Sequence, residues 1–190
     1  MGLYFIRHPE TQQNKDNILQ GRMEGEITPE GIIYARNISS SLASKEIFFD
    51  EIHTGTLNRT KKLAELILEK QPGKCSLIIS DSLFPRDVGN FQGMKRSSAP
   101  WGWLKGNYFT NRPKGGETLT EAYERIKSYV LSIDWNNDKE ILIVGHGETL
   151  SLIQMIFKGL SPTIENLSKI EEQKNCQVIH YNGNSWKKVI

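Results

Sequence analysis

Cysteine is scarce in this chain: Cys75 and Cys176 are the two among 190 residues. They make neither a disulfide framework nor a metal-spaced pair, and they fit a reducing compartment. Long hydrophobic runs are also missing. No stretch approaches the roughly 20 apolar residues that cross a bilayer, so no membrane partner is expected. Leu3-Tyr4-Phe5-Ile6 is too short for a signal peptide and ends at Arg7. Ile6 stands where a myristoylation signal wants Ser or Thr, so the expected location is cytoplasmic. Charge of one sign is lacking too: the formal net charge is +2, which gives no reason to expect a nucleic-acid partner. Internal repeats, low-complexity tracts and linkers are not found. With 37% hydrophobic and 24% charged residues, an ordinary globular mix able to bury a sizeable core, one domain over residues 1–190 is expected. The sequence offers little on oligomeric state.

Strand and helix signals alternate along the chain. Leu3 to Ile6 is a short apolar run closed by a charged loop and reads as a buried strand. Thr28-Pro29-Glu30 supplies an N-cap, a first-turn proline and an early carboxylate for a helix to about Ser44. Ile47 to Thr54 is the next expected strand, Leu57 to Glu69 a second helix, and Leu77 to Ile79 a short third strand. Thr118 to Ile133 carries Leu119, Ala122, Ile126 and Val130 on one helical face. Ile141 to Val144 is the most strand-like run, Thr149 to Phe157 a further helix, and Gln177–Tyr181 with Trp186–Ile190 a terminal hairpin about Asn182-Gly183. Strands alternating with helices predict a three-layer α/β fold with a mostly parallel central sheet between helices.

In open α/β sheets ligands bind beyond the carboxyl ends of strands. His8 follows the first strand and His146 follows Ile141–Val144, and a helix or loop start after each offers backbone N–H groups to an anion. A single histidine at a strand end is more often structural. Two at equivalent positions, one preceded by Arg7, are less readily explained that way. Arg59, opening the second helix, reads by itself as a solvated charge. His53 and His180 read as structural, Cys75 and Cys176 as small buried or half-buried residues, and Trp135 and Trp186 as packing.

Ile6-Arg7-His8-Pro9-Glu10-Thr11 with Asn14 resembles the opening signature of the phosphoglycerate mutase-like histidine phosphatases. Further likenesses follow in the family's order: Gln20-Gly21-Arg22, Ile27-Thr28-Pro29-Glu30-Gly31, Leu57-Asn58-Arg59-Thr60, Gly89-Asn90-Phe91-Gln92-Gly93, Pro113-Lys114-Gly115-Gly116-Glu117-Thr118 and Val144-Gly145-His146-Gly147. The likeness extends from residue 3 to about 150. It implies that His8 attacks phosphorus to give a phosphohistidine that water hydrolyses. It implies that Arg7 and Arg59 clamp phosphoryl oxygens through planar guanidinium groups, and that His146 donates to those oxygens as charge builds. Asn14, Arg86 and Gly147 are the implied substrate-binding residues, with a turn residue as the alternative for Asn14. No metal and no cofactor are implied, since cationic side chains take the place of Mg²⁺.

Two positions depart from the pattern. Pro9 replaces the usual glycine, fixing φ and removing an N–H after the nucleophile. Pro85 falls where the family places its general acid, usually glutamate. Asp87, two residues on, can project to the same side if the segment is extended, and is the expected replacement, with a solvated loop aspartate as the alternative. Glu148 is a second candidate, although it also suits a helix N-terminal carboxylate. The third alternative is a substrate with a good leaving group that needs little acid help.

Residues 81–116 lack clear periodicity and carry Arg86, Lys95, Arg96, Lys105, Arg112 and Lys114 against Asp81 and Asp87, a local excess of +4. Trp101, Trp103, Tyr108 and Phe109 are interleaved. This suits a substrate-covering segment over an anionic ligand; a solvated loop with aromatics packed on the core is the alternative. Arg112, like Arg86, resembles a position that holds a substrate's anionic end. The expected activity is a phosphatase acting on a small, anionic phosphorylated metabolite. Phosphoglycerate mutase-type transfer and a weakly catalytic phosphate-binding protein stand as alternatives. Phosphatase is preferred because the chain is shorter than the mutases it resembles.

Overall fold

A computed structural model describes residues 2–100, 109–135, 138–183 and 185–190. Six strands form one mixed sheet: β1 (Gly2–Arg7), β2 (Glu51–Thr54), β3 (Ser76–Ile79), β4 (Glu140–Gly145), β5 (Val178–Tyr181) and β6 (Trp186–Lys188). Their spatial order is β3-β2-β4-β1-β5-β6. The first four run parallel, and the β5–β6 hairpin adds antiparallel to β1.

The helices are α1 (Gln12–Lys15), α2 (Pro29–Ser44), α3 (Asn58–Leu68), α4 (Leu119–Ser132), α5 (Gly147–Phe157) and α6 (Ile164–Ser168). The central strands are apolar on both sides because helices cover both faces. Ile141 and Ile143 pack with Leu3 and Phe5 against α4 and α5. Leu142 and Val144 pack with Ile6 against α2 and α3. This is the expected three-layer arrangement.

Local chemistry sets the helix starts. Thr28 accepts from the Gly31 N–H ahead of Pro29, and Thr118 forms a capping box with Glu121. One expected strand is shortened: over 47–54 only Glu51–Thr54 pairs. Ile47 N–H instead bonds back to the Leu42 carbonyl, and Phe49 is buried in the α2–α3 core. The apolar run there leaves a helix end and fills the core before it reaches the sheet. Short α1 and α6 carry too few residues to show a helical period and were not expected. Trp135 and Trp186 pack as predicted against one core, and no described helix is long and apolar enough to cross a membrane.

Register positions the functional end. Gly2 pairs with Glu140 and Arg7 with Gly145, so β1 and β4 finish level with one another. His8 and His146 are the next residues in each strand.

Candidate active site

The His8 N–H donates to the Gly145 carbonyl at 3.0 Å, which extends the ladder by one bond and sets the two histidines side by side. Their ring centroids are 5.1 Å apart. Both line a cavity of about 350 Å³ together with Arg7, Arg59, Asn14 and Arg86. Both imidazoles are buried, at 3% and 4% exposure.

The hydrogen bonds assign opposite tautomers to the two rings. His8 Nδ1 lies 2.7 Å from the Pro9 carbonyl. A carbonyl only accepts, so Nδ1 carries the proton and Nε2 holds the lone pair. Proline lacks an N–H but keeps its carbonyl, and that carbonyl is what orients His8. At His146, Arg59 Nε donates to Nδ1 at 3.3 Å. Guanidinium only donates, so the proton sits on Nε2. Nε2 is buried and has no hydrogen-bond partner among the described residues. A buried donor left unpaired carries a desolvation cost that an anionic ligand would relieve.

Electrostatics keep both rings neutral. Burial, followed by the charges of Arg59 and Arg7, holds His8 well below the ordinary histidine value; the Pro9 bond works the other way. His146 is held down by burial first, then by Arg59, His8, Arg7 and Arg125.

Arg59 is 1% exposed, not the solvated charge that its isolated position suggests. Besides the bond to His146, Nη1 and Nη2 donate to the Met23 and Gly21 carbonyls at 2.9 Å each. Each terminal nitrogen keeps a second hydrogen. Burial lowers this guanidinium to about 10, with Glu24 acting in the opposite sense.

Arg7 is held from the far end of the chain. Its Nη1 donates to Glu172 at 2.9 Å and to the Gln173 carbonyl at 2.7 Å. The same loop secures His8 and its neighbour: Asn175 Nδ2 donates to the His8 carbonyl at 2.7 Å, and Cys176 N–H to the Arg7 carbonyl at 2.9 Å. Gly147, first residue of α5, is pressed against this assembly. A Cβ there would lie 3.1 Å from both Arg7 Nη1 and Glu172 Oε1. Gly147, Glu148 and Ser151 all line the cavity, so the positive end of α5 faces it.

The other expected residues divide. Asn14 lines the cavity while its Oδ1 accepts from Thr11 in the α1 capping box. Arg86 lines it, 4% exposed, with Nε donating to Glu148 at 3.1 Å. Pro85 also lines it. Asp87, the expected stand-in acid, is not among the residues that line it. A 3₁₀ turn follows at Gly89–Phe91. Asp87 Oδ1 accepts from the Gly89 N–H at 2.8 Å, and its backbone bonds to Glu117 in both directions. Arg112 is likewise outside the lining, paired with Glu121 at the surface.

Phe109 packs in the core, whereas Trp101, Trp103, Lys105 and Tyr108 lie outside the described residues. His53 is buried between Tyr129 and Glu51, and His180 stacks on Tyr4, both structural as expected. Glu172, Gln173 and Asn175 carry no signal in the sequence, whereas Arg96 belongs to the cationic 81–116 segment. Arg96 lines the cavity. No local pattern announces a carboxylate 165 residues from the arginine it orients.

Among the described residues, four arginines and two glutamates line this cavity. With them, an imidazole with a free lone pair at Nε2 stands beside one with a proton at Nε2, a set of groups suited to an anionic ligand. The family model of the histidine phosphatase superfamily (branch 1) matches residues 3–189. The chain belongs to that superfamily. A 2,3-bisphosphoglycerate-dependent phosphoglycerate mutase of Methylobacterium sp. (strain 4-46) is 29% identical, aligned over 89% of this chain and 85% of that protein. A putative phosphoserine phosphatase 2 of Hydrogenobacter thermophilus is 27% identical over 95% and 90%. Among solved structures, a mycobacterial glucosyl-3-phosphoglycerate phosphatase superposes with a TM-score of 0.80 at 19% identity, covering 100% of this chain and 97% of its own. The mutase is matched over most of its length, so chain length does not separate mutase from phosphatase as the sequence reading supposed.

Proposed function

We propose that the chain is a phosphatase that hydrolyses a small phosphorylated metabolite through a phosphohistidine on His8. The observation that carries this reading is the pair of buried, neutral imidazoles in opposite tautomers. His8 offers a lone pair at Nε2, while His146 offers a proton at Nε2. One attacks phosphorus and the other donates to a phosphoryl oxygen as charge develops.

The second hydrogens on the Arg59 terminal nitrogens, Arg7, and the first amides of α5 supply the remaining donors. Asn14 and Arg86 meet the substrate from the cavity wall. The covering role proposed for residues 81–116 is supported by Pro85, Arg86, Val88 and Arg96, which all line the cavity. Hydrolysis over transfer is favoured by the rim: Glu172, with a side chain 73% exposed, opens that side to water. The named substrates of the relatives differ, so none is carried over.

Incubation with an aryl phosphate tests the reading. Phenol release should accompany an acid-labile phosphoprotein, and His8→Ala should abolish both. Release without a His8-dependent phosphoprotein would sink it; binding of phosphate without turnover would favour the weakly catalytic reading. The resemblance to mutases supports transfer as a second reading. Isomerisation of a monophosphoglycerate that outpaces phosphate release would establish it.

A further inference from the structure

The departure at Pro85 leaves the leaving group without its expected proton donor, and the tertiary structure offers a different one. The carboxylates that line the cavity are Glu148 and Glu172. Glu172 is bound to Arg7 at 2.9 Å and its side chain is 73% exposed at the rim. Glu148 sits two residues after His146, in the first turn of α5, with a side chain 29% exposed. Its Oε2 is 3.1 Å from Nε of Arg86, the neighbour of Pro85. The carboxyl therefore reaches from α5 to the wall segment whose own residue, proline, has no proton to give.

We propose that Glu148 is the catalytic residue that serves the leaving group, resting on the phosphohistidine reading above. In the first step His8 Nε2 bonds to phosphorus and the ester P–O bond breaks. The electron pair of that bond stays on the departing oxygen, which takes the carboxyl proton of Glu148. In the second step a water oxygen bonds to phosphorus and the P–N bond breaks, returning the pair to His8 Nε2. Glu148 carboxylate takes the proton that the water releases, restoring the starting state. Arg86 is the positioning residue that holds the carboxyl toward Pro85.

The test compares the full-length protein with Glu148→Gln on aryl phosphates of graded leaving-group pKa. Acid-labile phosphoprotein is followed in parallel. Glutamine keeps the shape and can still face Arg86, but has no proton to transfer. For phenyl phosphate the rate should fall about 10²-fold or more, the range of general acid catalysis. For 2,4-dinitrophenyl phosphate, which departs without help, it should fall only a few-fold, and the phosphoprotein should still form. Glu148→Asp should recover part of the loss. An equal loss across all leaving groups, or no loss, overturns the proposal while leaving phosphohistidine chemistry standing. Absence of phosphoprotein in the unaltered chain overturns both. Arg86→Lys provides a second variant: it should steepen the leaving-group dependence less than Glu148→Gln does, and an unchanged dependence in both overturns the assignment.

Discussion

At the scale of single residues, the site depends on hydrogen-bond partners that fix where protons sit. The Pro9 carbonyl and the Arg59 guanidinium act on two chemically identical rings and give them complementary roles. Arg59→Met should release His146 from its tautomer and, on the proposed mechanism, remove a phosphoryl donor. A fall in kcat/KM on the order of 10²-fold or more is expected, read by steady-state kinetics on an aryl phosphate. Gly147 makes a sharper case. A methyl group there would crowd the Arg7–Glu172 pair at 3.1 Å, and misplacing a clamp by about 1 Å can cost about 10²-fold in rate. Gly147→Ala should therefore lose activity with a melting temperature close to the parent's. A variant that melts far lower with unchanged kcat/KM would contradict this account. Glycine at 147 was readable as part of a motif, but its reason, an ion pair from two distant segments, was not.

At the scale of elements, strand ends and helix starts do the placing. Most were legible because their signals are local: Thr28-Pro29, Thr118 with Glu121, and the apolar run Ile141–Val144. The described parts of the loop between β3 and α4 were not, because they are held by contacts between its two ends rather than between near neighbours. Gly89 shows this: its φ is +51°, and a Cβ would fall 2.3 Å from the Lys114 carbonyl and 2.6 Å from Gly116 N. Those neighbours are backbone and cannot swing aside. Gly89→Ala should cost about 2 kcal/mol or more, from left-handed strain plus the clash, as measured by urea unfolding. Thr118→Ala should cost about 1 kcal/mol through loss of its cap. Asp87 is tied into the same loop, its side chain accepting from the Gly89 N–H and its backbone bonding to Glu117.

At the scale of the whole molecule, burying His8, His146 and His53 in neutral form couples folding to pH. All three are held below the ordinary value. Above pH about 6.5 neither folded nor unfolded chain binds protons there, and the full stability is present. As pH falls below that value the unfolded chain takes up protons that the native state refuses. Stability is then lost at about 1.4 kcal/mol per pH unit for each such ring, until the lowered native values are reached. The melting temperature should drop between pH 7 and pH 5, and His146→Gln should flatten that drop. An equal slope in both proteins would mean that His146 does not titrate this way. By the same sign, the acid limb of kcat/KM should lie below 6.5 once substrate ionisation is corrected for, since His8 stays neutral into that range.

The sequence by itself determined the α/β alternation, the positions of His8 and His146 after equivalent strands, and membership in a family whose motifs run in order along the chain. Those follow from local periodicity, caps and short motifs, which act between near neighbours. Tertiary structure alone decided the burial of Arg59, the opposed tautomers, the anchoring of Arg7 by Glu172 and of His8 by Asn175, and the bonds of Asp87 to Glu117. These depend on which strands lie side by side and on segments far apart in the chain that meet in space, separations over which a one-dimensional pattern carries no geometry.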